Sequence, residues 1–253
     1  MSDLVHTDFG HKLTIPELCD RYSTFIDACV HLNYMVRSTE LQRLKAEEID
    51  SYIIGIKAVK RHAVVEQWED VAHLMFHFQC MLRSVQSALR VWVELKEGDS
   101  VRAWSHLVDA QEYCATALLA KDHNGAQTLH GVLGRMESCL FPAFKIFNSA
   151  AYIETAGDCS ICGQPFGDCD HIEGLIYWGR LCRRANVRII EADHVSLVTH
   201  PRDRRCIITS HSNDDGRMVD VMSLEVTGDV ELEPGVLMHA NSIFMTATVL
   251  DFD

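Results

Sequence analysis

The stretch Cys159-Ser-Ile-Cys-Gly-Gln-Pro-Phe-Gly-Asp-Cys-Asp-His171 divides a helical sequence from a strand-rich one. It holds Cys159, Cys162, Cys169 and His171, as a C-x2-C pair, a Gly/Pro-rich loop and a C-x-H pair. Two cysteines separated by two residues can turn both sulfurs toward one tetrahedral ion. The loop from Gly163 to Gly167 lets the chain fold back, so that Cys169 and His171 close the shell. Three thiolates and one imidazole form a closed structural zinc set, with no open position for a substrate water. One Zn2+ per chain is therefore expected. Cys182, in Gly179-Arg-Leu-Cys-Arg183, is near enough in sequence to replace Cys169 or His171.

Upstream of this stretch the apolar residues recur at helical spacing. Thr14-Ile-Pro-Glu17 reads as a helix start, with a cap, a first-turn proline and a capping-box acid. Leu18, Tyr22, Phe25, Cys29, Leu32 and Val36 form one stripe, predicting a helix that ends near Ser38. Thr39-x-x-Gln42 repeats the capping signal and opens a second helix carrying Leu41, Leu44, Ile49, Tyr52, Ile53, Ile56 and Val59. A third helix is predicted from about Val64 to Leu95. Leu74, Phe78, Met81, Val85, Leu89 and Trp92 form its core stripe, and Gln79, Arg83, Gln86, Arg90 and Glu94 its solvated face. Asp99 or Ser100 caps a fourth helix, and a fifth runs from about Ala126 to Leu140, where Pro142 stops it. Residues 1–13 read as a polar lead-in. Short loops between long amphipathic helices imply an antiparallel bundle.

After position 150 the composition shifts: no Lys occurs, and Gly, Asp, Arg and β-branched residues rise. Val187 to Thr199 reads as a strand with Cys206-Ile-Ile-Thr209 as its partner. Val219 to Val226 follows, with turns at Pro201–Arg204, Ser212–Gly216 and Glu233–Gly235. The expected fold class is α+β: an antiparallel helical bundle over 1–150 and a small zinc-stabilised antiparallel β domain over 151–253.

The chain has 253 residues and a formal net charge of -13, which weighs against general phosphate binding and against an anionic membrane surface. Cys19, Cys29, Cys80, Cys114 and Cys139 show no paired spacing and read as free buried thiols of a reducing compartment. The opening residues carry no signal-peptide pattern and no run is long enough for a membrane span, so a cytoplasmic location is expected.

Cys159, Cys162, Gly163, Cys169, His171, Gly174, Tyr177 and Gly179 resemble a zinc module of uncharacterised bacterial and phage-linked proteins, some similar to phage prohead proteases. Asp193-His-Val-Ser-Leu-Val198 with Pro201 matches the strand that follows there, so the resemblance spans about residues 158–210. It implies metal binding and a phage-related or mobile-element setting in bacteria. The protease chemistry does not carry over, because that fold needs its Ser and His on a preceding β domain and this chain has helices there.

Other constellations point less far. His73 and His77 lie four apart on the third helix, but Leu74 stands where a metalloprotease needs Glu, and close helix packing explains them better. Asp193, His194 and Ser196 are neighbours on one strand, whereas a triad draws its members from different elements. Arg180, Arg183, Arg184, Arg188, Arg202, Arg204 and Arg205 form a basic cluster interleaved with acids, which fits ion pairing better than phosphate tracking. No P-loop, dinucleotide fingerprint or nucleophile elbow is present. The expectation is a zinc-containing adaptor, more a binding protein than an enzyme, with a protein partner in a phage-related or defence-related bacterial system. The alternatives are a nucleic-acid-binding accessory subunit using Arg180–Arg205, and a cryptic hydrolase using Ser196 or the His pair.

Overall fold

The computed structural model describes residues 4–6, 12–34, 36–143, 145–231, 233, 236, 239–243 and 250–253. The fold is α+β, and among the described residues it contains five α-helices followed by small antiparallel sheets. Strands β1 (Leu4–His6) and β2 (Lys12–Thr14) form a hairpin where a polar lead-in was expected. The helices are α1 (Ile15–Val30), α2 (Thr39–Val65), α3 (Glu69–Glu97), α4 (Ser100–Ala120) and α5 (Asn124–Leu140). No helix among the described residues is long and apolar enough to cross a membrane.

The start of α1 forms for the expected reason. The Thr14 side chain accepts from the Glu17 N–H at 3.4 Å, and the Glu17 carboxylate accepts from the Thr14 N–H at 2.8 Å. The helix is shorter than its apolar stripe suggests, because the chain tightens into a 3-10 turn over His31–Asn33. Ser38, not Thr39, caps α2, and Gln42 is buried instead, its side chain donating to the Leu32 carbonyl at 2.8 Å. Leu41 and Leu44, assigned to the core stripe of α2, are exposed. The α2–α3 break lies at residues 66–68, with Gln67 at φ +60°, so Val64 and Val65 end α2 rather than begin α3. Asp99 caps α4, accepting from the Arg102 N–H at 2.9 Å.

Helix α3 is the axis of the molecule, with 18 of its 29 residues buried. A helix covered on nearly all sides must bury polar positions as well as apolar ones. Gln79, Gln86 and Glu94, expected to face water, are buried. Gln86 Nε2 donates to the Ala46 carbonyl at 2.8 Å, and Arg83 reaches Asp50 at 2.6 Å and Asp251 at 3.1 Å. These polar groups tie α3 to α2 and to the distant segment Leu250–Asp253.

The strand-rich part begins at Phe147. Its strands are β3 (Phe147–Glu154), β4 (Asp158–Cys159), β5 (Ile176–Tyr177), β6 (Arg180–Leu181), β7 (Arg184–Ala185), β8 (Ile189–Val198), β9 (Ile208–Ser212), β10 (Arg217–Asp220), β11 (Val226–Asp229) and β12 (Ala240–Ser242). The composition shift after position 150 falls inside β3. Strand β8 pairs with β3, in the register Phe147↔Val198 to Glu154↔Ile189, and not with the 206–209 segment. That segment leads into β9, the inner partner of β10 and β12 in a four-stranded sheet of order β11-β10-β9-β12. The expected Val219–Val226 strand is broken by a turn in which Asp220 Oδ1 accepts from the Met222 and Ser223 N–H groups, with Leu224 at φ +62°. The expected turn at Glu233–Gly235 includes residues outside those described.

The two parts share one core. Phe147, Ile207 and Phe252 pack in the same apolar cluster as Trp104, Leu107 and Tyr113 of α4. Trp104 Nε1 donates to the Arg204 carbonyl at 2.7 Å, and the Arg204 guanidinium lies 5.0 Å from the Trp104 ring centroid.

Candidate metal centre

Two short pieces of backbone aim the metal-binding side chains. At the first, the Gly163 N–H donates to the Cys159 carbonyl at 2.8 Å and the Ile161 N–H points to Cys159 Sγ at 3.4 Å. Gly163 takes φ +73°, which a glycine adopts without strain, and this turn swings Cys162 beside Cys159. The β4–β7 pairing sets Cys159 opposite Arg184. At the second, the β5–β6 hairpin brings the Cys182 N–H to the Leu175 carbonyl at 2.8 Å and the Gly174 N–H to the Cys182 carbonyl at 2.9 Å. The His171 ring stands edge-on to Tyr177, 4.7 Å between centroids, and the Tyr177 hydroxyl accepts from the Ile172 N–H at 3.1 Å.

The donor atoms of Cys159, Cys162, Cys169 and His171 all lie within 4.8 Å of one another. His171 Nδ1 is buried and has no hydrogen-bond partner among the described residues, which is costly for an imidazole nitrogen unless it has a ligand. This fits a metal ion, and these four residues can hold one.

The local electrostatics favour a thiolate at the centre of the group. Burial pushes Cys159 up, but the backbone N–H groups of Cys162 and Ile161 and the thiols of Cys162 and Cys169 outweigh it, bringing its pKa down to about 6. Cys182 is buried, and its Sγ lies 3.9 Å from Cys159 Sγ. Burial and the bond to Cys159 push its pKa up to about 11.

The remaining predicted sites do not assemble. His77 is buried with Nδ1 2.9 Å from the Ala117 carbonyl, while His73 lies 3.6 Å from Glu69 on its own helix. His194 Nδ1 meets the Asp193 carboxylate at 3.1 Å in an exposed position, and Ser196 lies opposite Ser149 in the β3–β8 ladder.

The arginines are largely engaged within the chain. Arg205 is buried and pairs with Asp109 at 2.6 Å, Glu112 at 2.7 Å and Asp203 at 2.9 Å. Arg204 pairs with Glu137 at 2.6 Å, and Arg184 with Glu154 at 2.6 Å. Arg180 and Arg183 hold backbone carbonyls of Ile161 and Leu250.

No family model, curated protein or solved structure matches this chain.

Sequence spacing gave no hint of a second polar cluster, between α2, α3 and Leu250–Asp253. Asp251 accepts from Lys57 at 2.8 Å and from Arg83 at 3.1 Å, and its N–H donates to the Tyr113 hydroxyl at 2.8 Å. Gln79 Nε2 donates to the Asp253 carbonyl at 3.1 Å. Lys57 and Asp251 are 194 residues apart, so no local pattern can pair them.

Proposed function

We propose that this chain is a protein-interaction adaptor in which a structural zinc ion fixes the module that carries the binding ribbon. Three thiolates and an imidazole are the soft tetrahedral set that zinc prefers, and they leave no position for a substrate water. The zinc-binding segment is inserted between β3 and β8, so folding it fixes where the far ends of both strands meet.

The observation that carries the adaptor reading is the exposure of the β3–β8 ribbon. Ile153, Ile189, Ile190, Val195 and Leu197 are all exposed along its two strands, Ile190 at 66%. A cluster of aliphatic side chains on one small ribbon is a surface that a protein partner covers. Arg204 and Arg205 are committed to carboxylates inside the chain, which supports a protein partner over nucleic acid. The resemblance of the Cys/His module to phage-linked bacterial proteins supports a phage-related or defence-related setting.

The test places a photo-crosslinking residue at Val195 in the native host, identifies the adduct and reconstitutes it from purified components. The expected result is a protein partner whose affinity falls at least about tenfold in Val195→Lys/Leu197→Lys, through loss of buried aliphatic surface. A crosslink only to a second copy of this chain, or only to nucleic acid, would overturn the proposal.

A further inference from the structure

A cavity of about 430 Å3 opens between α1, the first half of α3 and the α4–α5 turn, and none of its lining residues belongs to the Cys159–His171 cluster. Tyr22, Ile26, Phe78 and Met81 form its buried apolar wall, and Lys121 and His123 stand at its exposed rim. Small-molecule sites have this size and composition: an apolar body with a few convergent polar groups.

The two histidines offer complementary hydrogen-bonding atoms. His77 is 3% exposed, and its Nδ1–H donates to the Ala117 carbonyl at 2.9 Å. Burial holds its pKa below the usual value, so the ring is neutral and Nε2 carries a lone pair. Nε2 has no protein partner among the described residues. The His123 Nδ1 accepts from the Gly125 N–H at 3.1 Å, which places the proton on Nε2. The rings lie 6.0 Å apart, centroid to centroid. The cavity thus presents an acceptor on its buried wall and a donor at its mouth.

Charge at the rim is divided. Burial raises both the Tyr22 phenol and the Cys19 thiol; Asp27 adds to the first rise and Lys121 opposes the second. The acid is felt at the Tyr22 end and the ammonium at the Cys19–His77 end, beside the free histidine nitrogen.

We propose that this cavity binds a small aromatic carboxylate bearing a ring N–H or O–H donor. The ring would lie against Tyr22, Phe78 and Met81, its donor meeting His77 Nε2 and its carboxylate meeting Lys121 and the His123 N–H. The inference is independent of the zinc and adaptor proposals.

Calorimetry on the full chain tests it with three probes: indole-3-acetate, naphthalene-1-acetate, which lacks the ring donor, and 3-methylindole, which lacks the carboxylate. Indole-3-acetate is expected to bind one-to-one with Kd below about 1 mM, as suits a ligand of some dozen heavy atoms. Each of the other two is expected to bind about tenfold more weakly, the usual share of one hydrogen bond to a buried or charged group. Lys121→Ala should weaken indole-3-acetate about tenfold and leave 3-methylindole unchanged. Ser23→Trp, at an exposed position on the rim, should block all three without touching the core. Absence of binding by indole-3-acetate, equal affinity for the three probes, or binding that survives Ser23→Trp would each overturn the proposal.

Discussion

The ammonium of Lys60, buried on α2, donates to the Gly179 carbonyl at the tip of the β5–β6 hairpin, 3.1 Å away. The same ammonium donates to Gln79 on α3 at 2.9 Å and lies 5.1 Å from the centre of the Phe76 ring. The hairpin that positions Cys182 is thereby tied to the two central helices. Gly179 is required at this junction: it takes φ +68°, and a Cβ there would meet the Ala72 carbonyl oxygen at 2.5 Å.

Gly179→Ala is therefore expected to destabilise the chain by at least about 2 kcal/mol, from left-handed strain and the clash with backbone. Gly163→Ala, at φ +73° with open space around its Cβ position, should cost less. Urea unfolding of the two variants checks the order. Equal losses would mean that the hairpin does not press on α3 as described.

Arg205 is expected to be structural. Its side chain is 5% exposed, and truncation removes a partner that Asp109, Glu112 and Asp203 share. Arg205→Met should cost about 3–5 kcal/mol, as when one partner of a buried ion pair is removed. Arg202→Ala should change stability little, since that side chain is 78% exposed and its nearest acid, Glu154, is 3.8 Å away. Thermal or urea melts separate the two, and a mild Arg205 variant would reopen a ligand-binding role for the cluster.

Two groups should give pH dependences of the same sense in different windows, stability rising with pH in each. Burial alone would raise Asp251, but Lys57 and Arg83 hold it below its ordinary 3.8. Its contribution is present above pH 3.8 and is lost as pH falls through the lower folded value. Lys60 is brought down by burial from 10.5 to about 8, so between those values the unfolded chain holds more protons than the folded one. Its share of stability therefore rises as pH increases from about 8 toward 10.5. Wild-type protein should gain stability relative to Lys60→Met as pH rises from about 8 toward 10.5, and should lose its advantage over Asp251→Asn below pH 3.8. A flat difference in either comparison would contradict the assigned environment.

What the sequence revealed and what it concealed follow from distance along the chain. The Thr14–Glu17 capping box and the Cys159–His171 donor set are complete within a few residues, so spacing alone exposes them. Gln79, Gln86 and Glu94 recur at helical spacing and look like a wetted face. Their partners or covering groups come from Ala46, Lys60, Arg102 and the Leu250–Asp253 segment, which no local period contains. Strand β3 was hidden because Phe147 to Glu154 follows α5 after a short connection and its partner lies about forty residues on. The α2–α3 break was hidden because Val64 and Val65 continue an apolar run, while the turn depends on a non-glycine residue, Gln67, at positive φ.

Loss of the metal should unfold the module locally. Cys162→Ser, or chelation, should make residues 158–185 sensitive to protease while helical circular dichroism is kept, because the buried residues of the shared core, those of α1 to α5, Phe147, Ile207 and Phe252 among them, all lie outside 158–185. Cys169→Ser should behave alike. Cys182→Ser should retain the ion, because Cys182 lies outside the set of four donors Cys159, Cys162, Cys169 and His171. Metal lost from Cys182→Ser but kept in the His171→Ala variant would move the fourth ligand from His171 to Cys182.

The most direct measurement is the metal content of the full chain, purified without chelator, by elemental analysis alongside native mass spectrometry. The account predicts one zinc per chain in wild-type protein and none in Cys162→Ser. Wild-type protein that is folded, reduced and free of metal would contradict it.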